Sequence, residues 1–156
     1  MTATVEKNLP DPSATQALGR ELAGLARPGD VIALWGDLGT GKTVFARAFI
    51  RALADPDEEV PSPTFTLVQT YDFDGGAIYH FDAYRLEQPQ EAFELGIEDA
   101  FCDGVSLIEW PGRLGSLLPV ARLDIELIHG EDTNARRAVL SGPPEWLQRL
   151  EEAGVA

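Results

Sequence analysis

Apolar runs, punctuated by glycines and prolines, divide this chain into strand-like and helix-like stretches. The clearest is Val31-Ile32-Ala33-Leu34-Trp35, an unbroken apolar run of the kind buried on both faces of a parallel sheet. Beyond the glycine-rich residues that follow, Phe45, Ala48, Phe49, Ala52 and Leu53 recur at the spacing of one helix face. That helix is expected to stop near Ala54-Asp55-Pro56, because the residue before a proline disfavours helical backbone. Upstream, residues 3–9 read as a short edge strand and Pro10-Asp11-Pro12 as a break. Ser13 and Gln16 have capping-box spacing, and Leu18, Leu22 and Leu25 then line a helix face. Pro28-Gly29-Asp30 turns the chain into the central strand.

Downstream, residues 66–72 and 77–82 read as two strands joined at Asp74-Gly75-Gly76, a hairpin signal. A polar helical region runs through Glu98. Val105-Ser106-Leu107-Ile108-Glu109 is a buried strand that ends abruptly in a carboxylate, and Pro111 halts the chain after Trp110. Residues 122–128 and 135–141 alternate as an antiparallel pair around a polar loop, His129 to Asn134. Trp146, Leu147 and Leu150 make a closing helix with Gly154 as its cap and Arg149 paired on its solvent face.

Composition narrows the class. A chain of 156 residues with 44% hydrophobic and 24% charged residues fits one soluble globular domain spanning 1–156. Twelve basic residues stand against 26 acidic ones, a net charge of −14. Gripping a nucleic-acid backbone needs a basic face, so a broad RNA or DNA surface is not expected. The lone Cys102 excludes an internal disulfide, suits a reducing compartment, and is expected to pack as a small buried residue. Met1 to Ser13 has no apolar signal core and no run of about 18 apolar residues occurs, so a cytoplasmic protein without a membrane anchor is expected.

The chemistry lies in Gly36-Asp37-Leu38-Gly39-Thr40-Gly41-Lys42-Thr43, which matches the phosphate-loop pattern G-x-x-x-x-G-K-[ST] at every fixed position. Glycines 36, 39 and 41 let backbone N–H groups approach phosphate oxygens with no Cβ in the way. The helix that starts near Gly41 adds its positive end. Lys42, one of the chain's two lysines with Lys7, would reach the β- and γ-phosphates, and the Thr43 hydroxyl would be a Mg²⁺ ligand. The pattern predicts a nucleotide-triphosphate site in a single P-loop NTPase-like α/β domain: a mostly parallel central sheet with antiparallel additions and helices on both faces.

Further candidates sit where such enzymes place them. Thr64, preset by Pro63, either senses the γ-phosphate and metal or is an ordinary loop residue. Asp82 ends a strand where open α/β sheets bind ligands; it either holds or orients a water or caps a helix. His80 reads as a packed neighbour or, alternatively, a base, and Arg85 as a partner for carboxylate or phosphate. Glu109, an acid at a strand end, is the leading second Mg²⁺ ligand, ahead of Asp82. No Asn-Lys-x-Asp segment marks a guanine reader. Leu140-Ser141-Gly142 runs into Pro143 and so lacks the transporter signature, and there is little room for a kinase lid.

Taken together, Gly36 to Thr43, Ser62-Pro63-Thr64-Phe65, His80-Phe81-Asp82-Ala83-Tyr84-Arg85 and Glu109-Trp110-Pro111 resemble the TsaE family, also called YjeE. The likeness spans nearly the full chain, including Leu9-Pro10-Asp11 and Ala14-Thr15. Ala83 and Gly112 depart from the family's larger apolar and polar residues there. The resemblance implies an ATPase, slow alone, that binds ATP or ADP with Mg²⁺ through Thr43 and Glu109. It implies action with TsaD and TsaB in forming threonylcarbamoyladenosine on tRNA, with the tRNA met only through the complex. It also makes Thr15 and Arg136 candidates near the adenine, which the family holds between the N-terminal segment and the late hairpin. The alternative is a nucleotide-gated binding module in which occupancy, not turnover, is the signal.

Overall fold

The computed structural model describes residues 3–61 and 67–155. Seven strands form one sheet: β1 (Ala3–Leu9), β2 (Val31–Trp35), β3 (Val68–Phe73), β4 (Gly76–Asp82), β5 (Val105–Glu109), β6 (Leu123–His129) and β7 (Arg136–Gly142). Their spatial order is β1-β7-β6-β2-β5-β4-β3. The inner strands β6, β2, β5 and β4 run parallel, and antiparallel partners close each side, β7 and β1 on one and β3 on the other. The expected α/β domain, a parallel centre with antiparallel additions, is therefore present. β1 is an edge strand as expected, and the two hairpins lie within a residue or two of their expected limits.

Among the described residues, four α-helices, α1 (Pro12–Ala23), α2 (Lys42–Leu53), α3 (Ile97–Asp103) and α4 (Pro144–Glu152), cover the sheet with two 3₁₀ segments, Pro89–Leu95 and Pro111–Leu117. β2 shows why both faces must be covered. Ile32 and Leu34 join a core with Leu22, Phe45, Phe49 and Leu150 from α1, α2 and α4. Val31 and Ala33 join a second core with Ile97, Ala100 and Leu114 from α3 and the 3₁₀ segments. Because side chains alternate along a strand, only a run without polar interruption can serve two cores.

Several local expectations are corrected. The cap of α1 is Asp11, whose carboxylate accepts the Ala14 N–H at 2.9 Å, and not Ser13 with Gln16. Pro12 is preset for the first helical position and loses no hydrogen bond there, so the helix starts earlier. The polar region through Glu98 is a 3₁₀ turn and then α3, parted at Gly96, whose φ of 79° interrupts helical backbone. Pro111 opens a 3₁₀ segment and does not simply stop the chain. Cys102 is exposed, because Ile97 and Ala100 take the inward positions of α3. Arg149 is buried and does not sit on a solvent face. Its Nη1 donates to Asp30 at 2.7 Å, a second guanidinium nitrogen bonds Glu145, and the group lies over Trp146. Gly154, at φ 76°, ends α4 as expected, with the Val155 N–H returning to the Leu150 carbonyl.

Candidate functional site

The carboxyl ends of β2, β5 and β4 meet the start of α2, and this junction gathers Lys42, Thr43, Asp82 and Glu109 from among the residues singled out in the sequence. Parallel pairing sets Glu109 beside Leu34 on one side and Asp82 on the other, so both acids arrive at the same level. The Gly36-to-Thr43 loop arches over them from the end of β2. Gly36, at φ 144°, could not carry a side chain, since a Cβ there would lie 2.6 Å from both the Leu127 carbonyl oxygen and the Thr40 hydroxyl. The Thr40 Oγ1 in turn donates to the Asp37 carbonyl at 2.9 Å and so pins the loop from within.

Lys42 is buried beneath this loop. Its Nζ donates to the carbonyls of Gly36 at 2.7 Å and Asp37 at 2.8 Å, and lies 4.2 Å from the centre of the Trp110 ring. Burial pushes the ammonium below the ordinary lysine range, although Glu109, Asp37 and Asp82 pull the other way. Thr43, one residue into α2, donates through Oγ1 to Glu109 Oε1 at 3.1 Å. The other Glu109 oxygen, Oε2, is 2.6 Å from His80 Nε2. His80 is fully buried, so it lies under the acid and not in the cleft. Asp82 is also buried; its Oδ1 accepts the Tyr84 N–H at 3.0 Å, and it forms part of the cleft wall.

That cleft, of about 310 Å³, is lined by Leu38, Lys42, Thr43, Asp82, Glu109 and Trp110 among others. Among the described residues, the amides of Leu38, Gly39 and Gly41 make no hydrogen bond, and those of Lys42 and Thr43 belong to a helix's unpaired first turn. A hydroxyl and a carboxylate 3.1 Å apart beside such amides are the hard oxygen donors and anion-facing dipoles that a phosphate with a divalent cation needs.

Some expectations meet different surroundings. Arg136 gives Nε to the Thr40 carbonyl at 3.1 Å and Nη2 to that of Gly39 at 2.9 Å, so it braces the loop from behind. It also borders a cavity of about 580 Å³ between Asn8–Pro10 and the loop after β6. Thr15 is not part of that wall; it is buried in α1 against Gly41. Arg85 is exposed, and Thr64 lies outside the described residues together with the rest of Ser62-Pro63-Thr64-Phe65. Trp110, which the sequence leaves as core or a partner contact, instead lines the cleft. It holds φ 58°, rare for a large side chain, and packs on Tyr84 at 4.9 Å between centroids. It separates the smaller cleft from a neighbouring cavity of about 750 Å³ that reaches Trp35 and Arg113.

Known proteins share this sequence and fold. The family described as threonylcarbamoyl adenosine biosynthesis protein TsaE matches residues 9–139. A Rickettsia felis relative, named tRNA threonylcarbamoyladenosine biosynthesis protein TsaE, is 40% identical over 124 residues, covering 78% of this chain and 71% of the relative. A Bacillus subtilis protein of the same name is 39% identical over 123 residues, covering 78% and 76%. The crystal structure of Bacillus subtilis YdiB superposes with a TM-score of 0.79 at 30% identity, covering 99% of this chain and 96% of that one. No helix among the described residues is long and apolar enough to cross a membrane. With fold and matched residues in agreement along most of its length, this chain belongs to the TsaE family of tRNA threonylcarbamoyladenosine biosynthesis proteins.

Proposed function

We propose that this chain is an ATP-binding, Mg²⁺-dependent ATPase that acts in the cytoplasm with TsaD and TsaB, its nucleotide cycle resetting the assembly that modifies tRNA. The observation that carries this reading is the 3.1 Å contact between Thr43 Oγ1 and Glu109 Oε1, at a cleft roofed by amides without partners among the described residues. Thr43 and Glu109 would hold the magnesium, with Asp82 a further candidate beside them. The ion would supply charge neutralisation to the transferring phosphoryl group. The amides of residues 38–43 would hold the phosphates, and Lys42 would exchange its two loop carbonyls for phosphate oxygens. Asp82, fixed by the Tyr84 N–H, is set to orient a water at the cleft wall. Thr64 would report on the γ-phosphate from the loop that precedes β3. The adenine would occupy the cavity between Asn8–Pro10 and the β6–β7 loop, where Arg136 is at the wall.

A net charge of −14 favours contact with protein partners and leaves the tRNA to be met through the complex. One observation favours the alternative, in which nucleotide occupancy rather than turnover is the signal. Arg136 spends its guanidinium on loop carbonyls and is absent from the cleft wall, so it does not act as the cationic finger worth roughly 10³–10⁵ in rate. Isothermal calorimetry with ATP and with ADP in excess Mg²⁺ tests both readings. Binding heat from each is expected, and its absence would remove the enzyme and the switch together.

A further inference from the structure

His80 is fully buried, yet only one of its ring nitrogens is used. Nε2 lies 2.6 Å from Glu109 Oε2, whereas Nδ1 has no partner among the described residues. An imidazole with an unpaired buried nitrogen is a poor way to fill space, because an apolar side chain of similar size would pack there without that penalty. The bond to Glu109 must therefore account for the residue. A carboxylate oxygen only accepts, so Nε2 donates. The two oxygens of Glu109 are then held differently: Oε2 takes the short bond from His80 below and lies 3.4 Å from the Thr43 hydroxyl, whereas Oε1 is the oxygen nearer Thr43, at 3.1 Å, on the cleft side. Register explains the reach. His80 pairs with Leu107 and Asp82 with Glu109 across β4 and β5, which puts His80 one pleat below the acid on the same face.

We propose that His80 is a positioning residue. By holding Oε2 it fixes the rotation of the Glu109 carboxylate and keeps Oε1 presented to a divalent cation shared with Thr43. This rests on the reading of Glu109 as a metal ligand, and it assigns His80 no contact with nucleotide or water. Partners of this kind orient a ligand through its second atom, and losing one typically costs roughly 10–100-fold in metal affinity.

The test is the Mg²⁺ concentration that half-saturates the Mg²⁺-dependent gain in ADP affinity, read by calorimetry beside ADP binding in EDTA. His80→Leu removes the donor and keeps the bulk. His80→Asn keeps an amide but places it near the Nδ1 position, short of Glu109. His80→Gln returns an N–H near the Nε2 position. The Leu and Asn variants are expected to raise half-saturation about tenfold or more, with EDTA binding within about twofold of the parent and Gln restoring it to within about threefold. If Leu does not fold cooperatively, the Asn and Gln pair decides. Half-saturation unchanged in Leu and Asn, no rescue by Gln, or an equal loss of binding in EDTA would each overturn the proposal. Glu109→Gln separates the two layers. If it leaves Mg²⁺ dependence intact, the metal assignment fails and this proposal with it. If it abolishes Mg²⁺ dependence while the His80 variants do not weaken it, only the positioning role fails.

Discussion

Lys42 and Thr43 open a helix and Glu109 ends a strand, and the two buried charges are costly where they sit. An ammonium under its own loop and a carboxylate 3% exposed are tolerated because each is surrounded by groups of fitting polarity. On the proposed reading these groups exchange partners when phosphate and Mg²⁺ arrive. Thr43→Ala and Glu109→Ala should therefore lower Mg²⁺-dependent turnover by about tenfold or more, while nucleotide binding without metal changes far less. Steady-state hydrolysis beside EDTA calorimetry checks this, and equal turnover in mutants and parent would remove the metal assignment.

At the scale of elements, α1 and α2 pack so closely that Gly19 is part of the contact. A Cβ there would lie 2.7 Å from the Phe45 carbonyl oxygen and 3.2 Å from the Ala48 Cβ. Alanine favours helix over glycine by about 1 kcal/mol. Forcing two packed helices apart costs roughly 1–3 kcal/mol, and the obstacle here is backbone that cannot rotate away. Gly19→Ala should thus be net destabilising, seen as a melting temperature lower by a few degrees; an unchanged or higher value would mean that the helices slide without cost. The far end of the chain is tied by Arg149, which joins α4 to the turn before β2 through Asp30. Its hydrogen bond, and then its charge, hold the Glu145 carboxyl below the usual 4.5. A carboxyl whose folded pKa is depressed contributes stability above its unfolded pKa and loses it as pH falls through the folded value. The melting temperature of Glu145→Gln should lie below the parent's at pH 7, and the gap should close in acid. The gap will be small because Glu145 is mostly exposed.

For the whole molecule, the proposed function puts one phosphate-binding site on a strongly acidic body. This fits a subunit whose output is read by other proteins. On the proposed function, adding TsaB and TsaD should raise the single-turnover rate of ATP hydrolysis, because among the described residues no guanidinium lines the cleft. An unchanged rate with intact complex formation would favour occupancy as the signal.

What the sequence determined by itself is whatever depends on near neighbours in the chain. An apolar run fixed β2, glycine spacing fixed the shape of the loop before α2, Asp74-Gly75 fixed a hairpin, and Glu109 was legible as an acid at a strand end. The Asp11 cap was legible in principle, hidden by a competing Ser13. Residues whose meaning comes from distant partners were not. That Arg149 is buried depends on Asp30, 119 positions away in the chain, and that Arg136 braces the loop depends on carbonyls of Gly39 and Thr40. Cys102 faces outward because Ile97 and Ala100 claim the core side of a short helix. The stacking of Lys42 on Trp110 and the grip of His80 on Glu109 exist only because β4 and β5 pair in one register with α2 seated above them. Local pattern sets which residues point the same way, whereas tertiary packing alone decides which of them touch.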